Sequence, residues 1–249
     1  MKMIGLEFFK LRRKRLFLMI SLFLCVELAW AFMASSMSMS RNPDNAGWEV
    51  LIMLLASMNG LFLPIISAVV ASRICDMEYK GSTWKLLMAA SVKRSHIYAA
   101  KYSCACILML FAILLQFLAM LGFGVMHGFE PSIPFVLLIR FWGGTMITTM
   151  VIIALQQWIS LAVKNQAFGL CLGMIGGFIG ITVDFFPAVV RRLFIWSYYT
   201  GLSPVASHYA DNTMELVVRD IGASLPLTLV IMGAVVYFAG SIHVSRQDV

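Results

Sequence analysis

From Tyr102 to Met126 the chain reads Tyr-Ser-Cys-Ala-Cys-Ile-Leu-Met-Leu-Phe-Ala-Ile-Leu-Leu-Gln-Phe-Leu-Ala-Met-Leu-Gly-Phe-Gly-Val-Met, without one charged side chain. An apolar run of this length is a membrane span rather than an ordinary core element. Comparable blocks occupy residues 16–36, 50–72, 135–163, 167–186 and 221–242. Spans of about 20 residues each leave no segment long enough for a separate soluble catalytic domain. The composition points the same way. The 249 residues are 61% hydrophobic and 12% charged, against roughly 25% charged in soluble chains. The predicted fold is an all-α polytopic membrane protein, one transmembrane domain over residues 1–249.

Charge orients the spans. Residues 1–15 place Ile4, Phe8 and Leu11 on one side of a helix and Glu7, Lys10 and Lys14 on the other, the pattern of a short interfacial helix. Of the 19 Lys and Arg, fourteen fall before span 1, between spans 2 and 3, between spans 4 and 5, or in the tail; five fall on the opposite side. The positive-inside rule therefore predicts that both termini are cytoplasmic. The net charge of +7 is thus a topology signal, and no nucleic-acid partner is expected. A cleaved signal peptide is the rival reading of the N-terminus; Glu27 within the run and its length favour a retained span. The five cysteines lie in or beside apolar blocks, so no disulfide framework is implied. No internal repeat or inverted similarity is visible.

Residues 73–101 form the longest cytoplasmic connection. They begin Arg73-Ile-Cys-Asp-Met-Glu-Tyr-Lys-Gly-Ser-Thr-Trp-Lys-Leu-Leu and run through Arg94 to Lys101. Gly81 can end one helix and Ser82 cap the next. Trp84, Leu87 and Met88 then share a face, suited to an inner leaflet or to a groove on a partner protein. The plainer alternative is a basic surface that fixes topology and binds anionic lipid. Lys80-Gly-Ser-Thr is not a P-loop, because the Lys precedes the Gly and the upstream Gly is missing.

This segment resembles the ABC-2 family of membrane permeases. There, span 2 leads into an acidic residue, Gly-Thr, a Leu-containing helix, a basic residue and a Lys before span 3. The corresponding positions are Glu78, Gly81, Thr83, Leu86 with Leu87, Arg94 and Lys101. Ser82 is an insertion, and Ala90-Ser91-Val92 stand where the family often has Pro. The resemblance implies a bacterial cytoplasmic-membrane permease subunit that is not an enzyme. It implies coupling to the ATPase through Glu78, Gly81, Thr83, Trp84, Leu87 and Arg94. Its partners would be two copies of an ATP-binding subunit and a second permease, identical or related. ATP and magnesium would bind to the ATPase, with no cofactor on this chain. Size, Met and Phe content and overall texture resemble the lantibiotic-immunity permeases of Gram-positive bacteria, which clear an amphipathic peptide from the producer's membrane. An exporter of drugs or lipids, and an ion-coupled transporter independent of an ATPase, are the alternatives.

Three sets of residues inside the bilayer or at its edge need a reading. Glu27 lies about 16 Å into span 1, where an acidic residue costs on the order of 3 kcal/mol. It serves either a substrate path and conformational coupling or hydrogen-bonded packing. Gly169, Gly173 and Gly177, with Gly176 and Gly180 alongside, allow close helix packing, with the neighbour in this chain or in a second permease. Between spans 5 and 6, residues 187–220 read as short helices dipping into the outer leaflet. There, Trp196 and Tyr199 either admit an amphipathic peptide or anchor the segment at headgroup level. Arg140 and Asp184 could pair near the outer surface. The four histidines are widely separated and give no metal spacing, and no cluster suits catalysis.

Overall fold

The computed structural model describes residues 2–11, 15–80, 93–129, 133–163, 165–210 and 213–246. Helix α1 is Lys2–Leu11 and α2 is Leu16–Arg41. They are followed by α3, Trp48–Lys80; α4, Arg94–Met126; α5, Phe135–Ala162; and α6, Gln166–Thr182. Two single-turn helices, α7 (Ala188–Arg191) and α8 (Tyr198–Gly201), precede a β-hairpin of β1 (Val205–Ala210) and β2 (Thr213–Val218). Helix α9, Ser224–Arg246, completes the described chain. Among the described residues, α2 through α6 and α9 are long and apolar enough to cross a membrane, α6 together with the turn that follows it.

Hydropathy marks where the bilayer ends, but helices continue beyond it. Helix α3 runs on to Lys80 and α4 begins at Arg94, so both ends of the 73–101 segment are helical extensions of the spans. Residues 81–92, with Gly81, Thr83, Trp84 and Leu87, lie outside the described residues. The fifth span is shorter than its apolar run: α6 stops at Thr182, and a 3₁₀ turn covers Val183–Phe185.

The stretch from 187 to 220 differs most from expectation, because its second half is a hairpin rather than a further helix. Val205 pairs with Val218 and Ala210 with Thr213 in antiparallel register. The root of the hairpin is held in the protein. Val205 is buried in a cluster with Trp48, Phe129, Leu138 and Phe141, and Arg219 N donates to Pro204 O at 2.9 Å. The hairpin also brings Asp220 back to α5, where Arg140 Nη1 meets its Oδ1 at 3.0 Å. Asp184 instead pairs with Arg191, at 3.2 Å. In place of an Arg140–Asp184 bridge the protein thus has two exposed pairs, each worth little to stability.

Helix α3 is the central element, with neighbours on α2, α4, α5 and α6. Its contact with α6 is the closest. A Cβ on Gly60 would lie 2.9 Å from the carbonyl carbon and oxygen of Gly180, and one on Gly177 would lie 2.6 Å from Leu61 O. Gly173 faces Pro64 O and the Ala68 side chain. Small residues on both helices thus let backbone meet backbone, where Cα–H groups can approach carbonyl oxygens. Pro64 lies inside α3 and cannot donate to the carbonyl of Gly60 one turn back. That carbonyl lies against Gly180.

Helix α1 and the last turns of α9 lie at one end of the bundle. Glu7 of α1 meets Lys101 of α4 and, through it, Ile74 of α3, while Val244 near the end of α9 packs with Cys75 and Tyr98. The hairpin and Phe129 lie at the other end. Gly60→Leu should force α3 and α6 apart and destabilise the protein by roughly 1–3 kcal/mol, the usual cost of overpacking. The readout is a lower thermal-unfolding midpoint of the detergent-purified chain. Gly143→Leu, at a position where a Cβ meets nothing within 4 Å, should leave the midpoint unchanged.

Candidate functional site

Hydrocarbon cannot satisfy a polar side chain, so buried polar groups in a span must find one another. Glu27 of α2 is fully buried. Gln116 Nε2 donates to Glu27 Oε1 at 2.8 Å and to Asn59 Oδ1 at 2.6 Å. Asn59 Nδ2 reaches Thr145 Oγ1 at 3.4 Å. One turn along α5, Thr149 Oγ1 donates to Thr145 O at 2.8 Å and lies 2.9 Å from Tyr199 Oη. Five elements, α2, α3, α4, α5 and α8, therefore meet through one chain of polar contacts. Glu27 Oε2 is buried without a hydrogen-bond partner among the described residues.

Gln116 is the hub because its amide offers two N–H donors, and here each has an acceptor on a different helix. Asn59 supplies both an acceptor and a donor, which suits it to the middle of the chain. Tyr199 ends the chain at the segment after α6. Burial pushes its phenol above the ordinary range, against the opposing effect of the Thr149 contact.

This placement corrects the expectation for the aromatic pair. Tyr199 is buried at 2% exposure and Trp196 at 9%, and the Trp196 indole lies against Gly176 of α6. The two side chains face the bundle instead of the headgroups, because the turn over 195–197 and α8 fold back onto α6 and α5. The glycine stripe faces inward as well: Gly173 and Gly177 meet α3, and Gly169 lies near Ser160 Oγ. With its amide oriented to suit both neighbours, Gln156 of α5 donates to Gly169 O at 3.1 Å and accepts from Gly173 N at 3.2 Å. Gln157 Nε2 donates to Tyr98 O at 2.9 Å.

A second cluster lies at the end of the bundle that carries the termini. Lys101 Nζ is 3.0 Å from Glu7 Oε2 and donates to Ile74 O at 3.2 Å; Lys10 Nζ is 3.0 Å from Glu7 Oε1. Lys101 is fully buried and Glu7 nearly so. The amphipathic α1 is thereby pinned to α3 and α4, with Leu11 buried beneath it and Leu6 and Phe9 turned outward. Glu78 lies in the last turn of α3 and Arg94 in the first of α4, so both flank the undescribed 81–92 stretch. Sequence reasoning put Glu7 on the polar side of α1, whereas it is buried against Lys101, and it passed over Asn59. The available signals were a lone acid in a strongly basic helix and an Asn in the middle of an apolar span.

Removing the hub should cost more than altering its rim. Gln116→Leu strands the Asn59 acceptor and should destabilise the protein by about 1–3 kcal/mol. Glu27→Gln keeps a carbonyl acceptor for Gln116 and should cost less. Thermal unfolding of both variants in detergent checks the order, and the reverse order would remove Gln116 from the hub.

Against this geometry, the family model of the ABC-2 family transporter proteins matches residues 3–180, from α1 to the glycine crossing of α3 and α6. No curated protein matches the chain. Members of the family are membrane components of ABC transporters that associate with an ATP-binding subunit and are not themselves the ATPase. The chain belongs to the ABC-2 family of transporter proteins and is a multi-pass membrane permease subunit of an ABC transporter.

Proposed function

We propose that this permease subunit serves ATP-driven export or extraction of an amphipathic peptide from the membrane, as in lantibiotic self-immunity. The observation that carries the reading is how the bundle interior is filled. Glu27, Asn59, Gln116, Thr145 and Thr149 are buried against one another, and the nearby pocket among Cys106, Met109 and Thr149 has no room for a water molecule. A hydrophilic solute needs a wet path. A bundle whose polar groups face each other favours a substrate that travels at the lipid-facing surface or at a junction with a second permease. An exporter of drugs or lipids would share that route, so peptide dependence is the point to test.

In this reading the end with the termini faces the cytoplasm and the hairpin faces out, following the basic residues around α1 and the 73–101 segment. Glu78 and Arg94 flank the place where two ATPase subunits would deliver force to Gly81, Thr83, Trp84 and Leu87. The second permease is an identical or related chain. Glu27 acts through the network, stabilising one arrangement of α2, α3 and α4. An ion-coupled carrier would need Glu27 to exchange protons with water, yet Glu27 is fully buried with Gln116 on Oε1.

The test is ATP hydrolysis by the permease reconstituted in vesicles with its ATP-binding subunit. A cationic amphipathic peptide should stimulate hydrolysis, whereas small drugs and added lipid should not. Glu78→Ala and Gly81→Pro should insert normally and lose the stimulation. Stimulation by drugs or lipid alone would overturn the peptide assignment, and unchanged stimulation in both variants would overturn the coupling role of residues 78–94.

A further inference from the structure

The hairpin packs on α3 at its root but does not close against it along its whole length. Between them lies a cavity of about 780 Å³, within the range of roughly 300–1,000 Å³ typical of small-ligand sites. Its wall has two characters. Met53 of α3, Phe185 after α6, Val205 of β1 and Val217 of β2 make one side apolar, while Arg191, Arg219 and Asp184 supply charge.

Those charges do not balance. Arg191 Nη1 meets Asp184 Oδ1 at 3.2 Å, with both side chains partly open to solvent. Arg219 donates through Nε to Ser203 O at 2.9 Å and through Nη2 to the carbonyls of Thr200 and Gly201. These neutral acceptors orient its guanidinium without neutralising it. Burial lowers the proton affinity of Arg219; Asp184 opposes this, and the positive charge of Arg191 adds to it. Among the described residues of the wall, two guanidiniums thus share one carboxylate beside an apolar surface. The lining from α3 and from the turn after α6 lies toward the hairpin end of the two spans.

We propose that this cavity binds an amphiphile with a phosphate-bearing anionic head, the head between Arg191 and Arg219 and the acyl chain along Met53, Phe185, Val205 and Val217. Guanidinium groups match phosphate oxygens in geometry and charge. The anion supplies the negative charge that Asp184 alone does not. The site goes beyond the transport reading, since it requires neither the ATPase nor a peptide.

The experiment titrates the detergent-purified full chain with a fluorescent phosphatidylglycerol and repeats the titration with competitors. Binding should be saturable, phosphatidylcholine should compete poorly, and millimolar inorganic phosphate should not displace the probe. Arg191→Gln, at a side chain 39% exposed and paired with Asp184, should weaken binding about tenfold. Ser57→Trp, which fills the α3 side of the cavity and keeps both arginines, should weaken it comparably. Unchanged affinity in both variants would mean lipid held elsewhere on the surface and would overturn the proposal. Displacement by inorganic phosphate alone would make this a small-anion site, and equal competition by phosphatidylcholine would remove the requirement for negative charge; either result overturns the assignment. An unchanged thermal midpoint identifies each variant as folded, so a loss of binding in either folded variant supports the cavity.

Discussion

The contact of α3 with α6 through Gly60 and Gly180 is the constraint from which the rest of the arrangement follows. Lipid tails are as apolar as leucine, so no hydrophobic gain drives two spans together; shape and backbone proximity must do it. Gly173, Gly177 and Gly180 put the α6 backbone against carbonyls of α3 at residues 60, 61 and 64. With α6 held there, Gly176 receives the Trp196 indole, and the chain after α6 must turn back over the bundle. That return places Tyr199 against Thr149 and starts the hairpin beside α3. A larger residue at position 60 or 180 would therefore disturb the polar chain as well as the crossing.

Polar satisfaction is the second constraint, and it is met in two tiers. In one, Glu27, Gln116, Asn59 and Thr145 join four spans by side chains alone. In the other, Glu7, Lys101 and the carbonyl of Ile74 join α1, α3 and α4. Each tier has an acid from the N-terminal part of the chain, a long polar side chain on α4 and an acceptor on α3. A buried ion pair such as Glu7–Lys101 adds little over an apolar replacement but is costly to break. Its evident effect is positional, since it fixes where the amphipathic α1 rests.

The spans and their number were legible in the sequence because burial in lipid demands long apolar runs, and nothing else in the chain resembles one. The α6 glycine spacing was legible as a packing face, but its partner was not, because Gly60, Pro64 and Ala68 on α3 share the four-residue spacing with only one glycine among them. The network was only half visible. Glu27 and Gln116 stand out in apolar surroundings, whereas Asn59, Thr145 and Thr149 become notable only once four helices are assembled. The hairpin was hidden for a different reason. Residues 205–218 mix apolar, small and polar side chains without clean alternation, and Val205 becomes a core residue only through contacts with the distant ends of α3, α4 and α5. Likewise Trp196 and Tyr199 have the chemistry of headgroup anchors. Tertiary folding, which aromatic composition cannot report, turns them inward.

The two tiers are spaced alike on the helices they join. Ile74 and Asn59 are fifteen residues apart on α3, and Lys101 and Gln116 are fifteen apart on α4, about 22 Å along each helix. Helices α3 and α4 are thus cross-linked at two levels by hydrogen bonds or charge, and a relative slide of one past the other would break both. A tilt of the pair as a unit would break neither. Because the ends of these helices bracket residues 81–92, a force applied there, as the proposed coupling requires, would reach the centre of the bundle as a joint movement of α3 with α4. Helix α2 meets that movement at Glu27, whose Oε1 is held by Gln116 and whose Oε2 has no partner among the described residues. The movement is resisted where α3 is locked to α6 at Gly60, so α2 and α6 sense it through different contacts: a hydrogen bond that can be exchanged on one side, and a steric fit that cannot on the other.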